Sequence, residues 1–363
     1  MSTEGKTVTH RILCVGEMWH GSDARSAFES LRRLGHAVLV LDEEQYVGTR
    51  WRSLGGRILR RGLAGWLVRE LTEDATRCLR RFQPDLLFVF KGNWVQAELL
   101  RRTRLAGVAS ANFYPDVSFL AHTRHIPRAL PLYDHVFTTK TFGVRDMQER
   151  LGLRQCSFVP PGFDLDLHRP ITLNDADRRR YACDVSFIGT WSPKKEALLA
   201  AVRAALPGFH LRIWGCQWEK AREAALASCV QGTGVTGDEY VKAICGSTIC
   251  LGLLSEVRQG ASSGDAITAR TFQIPACGTF MLHERTSEVV QYFVEGAEIA
   301  CFGSSDELVT RLRHYSAHGD ELRAMATAAR RRSLESGYSL DDRMRVVSAW
   351  LSERLAASPG RAR

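Results

Sequence analysis

The chain is predicted to be α/β, folded as two doubly wound, Rossmann-like domains facing a cleft. Three observations carry that prediction. Short apolar runs alternate with longer amphipathic segments along nearly the whole chain. The apolar runs are almost continuous, as in strands buried on both faces of a parallel sheet. The alternation halts at a breaker-rich stretch, Pro160-Pro-Gly-Phe-Asp-Leu-Asp-Leu-His-Arg-Pro170, and then restarts, which marks an inter-domain linker. A length of 363 residues fits about two domains. The expected division is 1–170, 171–340, and a C-terminal helix with a frayed tail over 341–363 that packs back on the first domain.

In the first half, strands are expected at Ile12–Gly16, Val38–Asp42, Leu86–Lys91, Ala109–Tyr114, His135–Thr139 and Ser157–Pro160. Ser22 to Leu34 reads as a helix: Ser22 is an N-cap, Ala27, Phe28, Leu31 and Leu34 form the apolar stripe, and Gly35 stops it. In the second half, Val185–Gly189, Leu211–Gly215, Ile249–Leu254, Thr279–Leu282 and Ile299–Phe302 read as strands. Ser192-Pro193 opens a helix to Leu206, because proline suits the first helical position. Ser304-Ser-Asp-Glu307 is a capping box, and two helices follow it, roughly 319–336 and 340–355.

Composition excludes several classes. A hydrophobic fraction of 45% and a charged fraction of 25% are those of an ordinary globular chain. No apolar run approaches the ~20 residues that span a bilayer, and the first ten residues lack the apolar core of a signal peptide. Ten cysteines occur without any Cys-x-x-Cys pair, which points to free thiols in a reducing cytoplasm and to neither a disulfide framework nor a zinc site. The net charge of +9 is one-sided: residues 1–180 hold 28 Lys+Arg against 20 Asp+Glu, the remainder 21 against 20. The first half therefore expects an acidic partner, either an anionic acceptor or an anionic membrane surface met peripherally. Nucleic acid is not expected, since no reader motif accompanies the charge. Arg50 to Arg69 concentrates six arginines and no acid among Trp51, Leu54, Leu63 and Trp66. That stretch reads either as a membrane or lipid-phosphate contact or as a helix whose arginines face water.

The most informative segment runs Asp265-Ala-Ile-Thr-Ala-Arg-Thr-Phe-Gln-Ile-Pro-Ala-Cys-Gly278. It reads as loop, short helix and strand. A helix start gathers free N–H groups and the positive dipole end, which suits a diphosphate; Arg270 and Thr271 lie there, and Gln273 follows within a turn. Phe187-Ile-Gly189-Thr190-Trp-Ser-Pro-Lys194-Lys195 places a glycine turn before two lysines in a first helical turn. Cations there oppose the dipole, so a leaving diphosphate is one reason for them; two solvated lysines are the other reading. Gly215 and Trp218 in Trp-Gly-Cys-Gln-Trp cradle a base or are core aromatics at a strand end. His20, in the loop after the first strand, is a cleft histidine or an exposed one. Lys91, Asp116 and His122 follow the third and fourth strands, where Asp116 or His122 could serve as base or positioner.

The layout Asp265-x7-Gln273 before Ala276-Cys277-Gly278 resembles the donor site of glycosyltransferases of the GT-B fold, whose retaining family-4-type members carry Glu-x7-Glu followed by Ala-Cys-Gly. Phe187-Ile-Gly-Thr190, Trp214-Gly215, Phe293-x-Glu-Gly-x-Glu298, Ser305-Asp-Glu-Leu308, Phe90-Lys-Gly92, Asn112-Phe-Tyr-Pro-Asp116, Phe137-Thr-Thr-Lys140 and Pro161-Gly-Phe-Asp164 occur in the order of the CgeB-type (spore-maturation) glycosyltransferases. The resemblance implies a GT-B fold and a nucleotide-sugar donor; with the composition, it gives the expectation of a cytoplasmic enzyme, peripheral at most to the inner membrane face. Residues 1–170 would bind the acceptor, a glycan, a lipid-linked group or a small molecule. Residues 171–340 would bind a UDP-, GDP- or TDP-linked sugar, with no other cofactor and no metal. Tyr240 belongs to the donor rim on the same ground, Asp265, Asp116, His122 and His20 are the catalytic candidates, and Gln273 stands where the family has Glu. A nucleotide-sugar epimerase or hydrolase on the same fold, or a non-catalytic binder of anionic ligands, are the rival readings.

Overall fold

The computed structural model describes residues 8–47, 54–232 and 234–357, with backbone alone for residues 47 and 54–62. Eleven strands occur among the described residues: β1 Arg11–Gly16, β2 Ala37–Asp42, β3 Leu86–Phe90, β4 Ala109–Tyr114, β5 His135–Thr138, β6 Cys156–Phe158, β7 Cys183–Ile188, β8 Leu211–Trp214, β9 Ser247–Gly252, β10 Phe280–Glu284 and β11 Ala300–Phe302. They form two parallel sheets, ordered β2-β1-β3-β4-β5-β6 and β11-β10-β9-β7-β8.

The chain divides into two compact units. The first is Met1–Pro160, Val257–Ser263 and Leu340–Arg363; the second is Pro161–Glu256 and Gly264–Ser339. The seam falls at Pro160, ten residues before the boundary read at 170, because 161–170 bond within the second unit: Phe163 N–H donates to Tyr338 O at 3.3 Å, and Asp164 N–H to His168 Nδ1 at 2.9 Å.

The first unit is closed by the Leu340–Ala356 helix. Met344, Val347 and Leu351 join Phe28, Phe88 and Phe137 in one core cluster. Asp341 pairs with Arg33 at 2.5 Å, and Ser348 and Ser352 bond the His36 and His10 rings at 2.8 and 2.9 Å. The Ser22 hydroxyl caps the Asp23–Arg33 helix by accepting from Arg25 N–H at 3.2 Å. The Leu54–Phe82 helix runs through Gly55, Gly56, Gly62 and Gly65 without a break. Most of the Arg50–Arg69 stretch lies outside the described residues or side chains; within it, Leu63 and Trp66 are exposed while Leu67 and Val68 are buried. The tail beyond 357 also lies outside the described residues.

The second unit packs Phe187, Ile213, Leu251 and Leu282, one from each of β7 to β10, into a core with Leu199 and Leu312. Among the described residues no helix is long and apolar enough to cross a membrane. The ten cysteines are free; six are buried, and Cys216 is exposed.

Candidate functional site

In the second sheet β7 is followed by β8 on one side, while β9 lies on its other side. Strand order reverses there. In open α/β sheets ligands bind at the carboxyl ends beside such a reversal.

Four loop segments meet at that point. Gly189 follows β7, and its N–H donates to Trp214 O at 2.8 Å. A Cβ on Gly215, at φ +150°, would fall 2.0 Å from Gly189 O, so the two loops touch backbone to backbone. The Trp218 indole N–H donates to that same oxygen at 3.0 Å, and the ring lies edge-on to Phe187. Trp218 is 4% exposed. The indole props the loop, and its N–H is already used. Gly215 and Trp218 border a concavity of about 660 Å³ that extends to Arg222, Leu226 and Val230.

Arg270 opens the Ala269–Ala276 helix. A Cβ on Gly189 would stand 3.2 Å from its Nη1; glycine is what lets the guanidinium approach. Arg270 lies over the Phe187 ring at 5.5 Å and donates from Nη2 to Leu253 O at 3.0 Å. Its buried Nε has no hydrogen-bond partner among the described residues. Lys195 is 2% exposed and donates to Thr190 O at 3.2 Å and Ser255 Oγ at 3.3 Å. Burial first, then the Arg270 charge, bring its pKa down to about 8. Two cations held this close in a desolvated site need an anion nearby. The neighbouring acids meet that need in part: Asp265 and Glu256 act on Lys195 electrostatically, and Asp265 N–H donates to Ser255 O at 2.9 Å. Lys194 is taken up by Glu284, Nζ to Oε2 2.8 Å. Thr190 is exposed.

Two predicted donor contacts already have hydrogen-bond partners within the unit. Thr271 is fully buried; its hydroxyl accepts from Thr268 N–H at 3.0 Å and pairs with His283 Nε2 at 2.9 Å. Gln273 is 6% exposed and accepts from the Tyr240 hydroxyl at 2.7 Å, with Tyr240 edge-on to His168. The structure thus joins Gln273 to Tyr240, and Asp265 to the cations. Sequence reasoning missed His283. Its Nδ1 donates to Glu284 O at 2.6 Å, so Nε2 accepts from Thr271; burial lowers its pKa to about 4. Its one signal was a histidine directly after the apolar run Phe280–Leu282.

In the first unit, Asp116 Oδ2 lies 3.0 Å from both Lys91 Nζ and His122 Nε2. Burial alone would raise that carboxyl, but the His122 ring and the Lys91 ammonium outweigh it and hold it well below the carboxylate range. Lys91 ends its strand one residue early by adopting φ +63°, and Asn112 Nδ2 bonds its carbonyl at 3.2 Å. A non-glycine residue held there is strained, a cost met mostly at functional positions. Glu43, missed from sequence, is 2% exposed, accepts from Trp94 N–H at 3.3 Å, and is pushed up to about 8 by burial. His20 is exposed on its loop.

A protein-family model described as glycosyl transferase-like matches residues 192–349. No curated protein matches the chain. Among solved structures, the sucrose-phosphate synthase of Thermosynechococcus elongatus aligns at TM-score 0.66 and 13% identity over 96% of this chain and 100% of that one. The Anabaena HepE protein, solved with UDP-glucose, aligns at 0.62 and 12% over 96% and 100%. A UDP-N-acetylglucosamine 2-epimerase from Listeria monocytogenes aligns at 0.55 and 10% over 96% and 98%. At such identities the likeness shows the fold, which is that of the GT-B glycosyltransferases. The glycosyl transferase-like model lies within the second half and covers less than half of the chain.

Proposed function

We propose that the protein moves a sugar from a nucleoside-diphosphate sugar, UDP-linked in the first instance, to an acceptor hydroxyl, without a metal ion. The observation that carries this reading is the cation pair at the carboxyl ends of β7 and β9. Arg270, with an unpartnered Nε, lies on Gly189 beside buried Lys195. Departure of a nucleoside diphosphate is the step that most needs positive charge, and preorganised cations in a dry site supply it. Asp265 stands beside them to meet the transferred sugar or steady the breaking bond. The 660 Å³ concavity beyond Gly215 is of a size to take the base. The UDP complexes of fold neighbours support the choice of nucleotide, and motif order supports kinship with the CgeB type. The basic first half favours an anionic, glycan or small-molecule acceptor, or a peripheral anionic membrane surface.

Calorimetry with UDP in EDTA tests the donor reading. Micromolar or tighter binding is expected, and Arg270→Ala should weaken it by about 1–3 kcal/mol. An unchanged dissociation constant removes Arg270 from the site, and strict dependence on Mg²⁺ overturns the metal-free reading.

A second reading concerns stereochemistry. The Asp265-x7-Gln273 match favours retention. The Asp116–His122 pair, a base oriented by a carboxylate, favours inversion through deprotonation of the acceptor. The anomeric configuration of the first product, read by NMR, separates them.

A further inference from the structure

The Ser305–Ala317 helix ends on His318, and the Gly319–Glu335 helix begins at once. His314 and His318 lie four residues apart, and Glu321 is in the first turn of the next helix. One ligand atom from each of these three exposed residues can be chosen so that all lie within 4.8 Å of one another. Among the described residues no other group of His, Cys, Asp and Glu side chains meets that condition.

The local bonding prepares two of the three donors. His318 Nδ1 donates to His314 O at 2.7 Å. That bond fixes the tautomer and leaves the Nε2 lone pair outward, as carbonyl partners do for metal-bound histidines. The two imidazoles stack at 4.2 Å and 21°. Glu321 Oε2 lies 2.8 Å from His314 Nε2. Two nitrogens bonded at ~2.0–2.1 Å and a carboxylate oxygen at ~2.0–2.2 Å, with water in the fourth position, describe a tetrahedral zinc set.

We propose that His314, His318 and Glu321 form a surface site for a divalent transition ion of the zinc type, clamping the two helices at their junction. On binding, the His314 Nε2 proton moves to Nδ1 or leaves to solvent, and the ion replaces it between imidazole and carboxylate. Hard cations are excluded, because Mg²⁺ and Ca²⁺ take oxygen ligands. The site is separate from the nucleotide site, so it affects stability and not donor binding.

The test is calorimetry of the untagged full chain with Zn²⁺, beside a thermal-shift series. One zinc per chain should bind and raise the melting temperature, with Mg²⁺ giving no shift. His318→Ala and Glu321→Gln should each weaken zinc binding at least tenfold and abolish the shift, while leaving UDP affinity unchanged. Two results overturn the proposal: wild-type protein that takes up no zinc at micromolar concentration, and zinc binding that survives both substitutions, which would place the ion elsewhere, such as at exposed Cys216.

Discussion

Gly215 decides how closely two loops of the second unit approach. With Gly189 O where its Cβ would stand, at 2.0 Å, and φ at +150°, Gly215→Ala must move one loop off the other. Unfolding free energy should fall by at least about 2 kcal/mol, and UDP binding should fall with it. A stable variant with full affinity would show that the backbone contact is dispensable. Lys195 makes the opposite trade. An unfolded lysine ionises near 10.5, and in the folded chain burial brings this to about 8. Between those values the unfolded chain binds more protons, so stability rises with pH across that window, and at neutral pH the buried charge is a cost. Lys195→Met should therefore raise stability at pH 7 by roughly 1–3 kcal/mol while weakening UDP binding; urea unfolding at pH 7 and pH 10 reads the first, calorimetry the second. Loss of stability at pH 7 would mean that its bonds to Thr190 O and Ser255 outweigh the burial. Sequence named Gly189, Lys195, Arg270 and Asp265 because chain position placed them in loops after strands and at helix starts, and the structure brings them near one another. It left Trp218 open between base cradle and core aromatic, and put Thr271 among the donor contacts, for a physical reason. Position in a turn or at a helix start says where a residue sits along the chain, but the side its ring or hydroxyl faces depends on packing against Phe187 and His283, which are distant in sequence.

Elements were more legible than side chains. Continuous apolar runs located the strands to within about two residues, since a strand buried on both faces leaves no polar alternation to confuse the reading. The Ser22 cap was visible because its signal is local. Lys91 was read into its strand because left-handed backbone at a lysine has no sequence signature. Glu43, the first residue of the Glu43–Val47 helix, looked like an ordinary acidic helix start. Its partner there is the Trp94 N–H, fifty-one positions on. An unfolded glutamate ionises near 4.5; this one holds its proton to about 8. Its contribution to stability is whole below about pH 4.5 and is lost as pH rises through 8. Glu43→Gln should flatten that slope, gaining on the order of 1–4 kcal/mol at pH 8 relative to wild type. Melting temperatures from pH 5 to pH 9 check it, and parallel curves for the two proteins would show that Glu43 is ionised in the folded chain.

At the scale of the molecule, charge and fold bear on different questions. The +9 charge is concentrated before residue 181, and Trp66, within the arginine-rich sequence Arg50–Arg69, is exposed. If that stretch meets an anionic acceptor or membrane, flotation with anionic vesicles should show binding that falls steeply with salt, because exposed charges are screened within ~8 Å at physiological ionic strength. Replacing Arg57, Arg60 and Arg61 by Gln should abolish it and leave UDP affinity intact; no binding at low salt would point to a small soluble acceptor. The fold speaks to the reaction less directly. A sucrose-phosphate synthase and a UDP-N-acetylglucosamine 2-epimerase both overlay this chain along nearly its whole length, so the scaffold alone does not choose between moving a sugar to an acceptor and rearranging it on its nucleotide. The cation pair favours nucleotide departure in either case. What separates them is the need for a second substrate. Incubated with UDP-glucose alone, a transferase should release UDP no faster than slow hydrolysis allows, and release should accelerate by orders of magnitude when a competent acceptor from a glycan and lipid-phosphate panel is added. Epimerised sugar, or complete donor consumption without acceptor, would assign the same Arg270 and Lys195 charges to a different reaction and displace glycosyl transfer as the function of this protein.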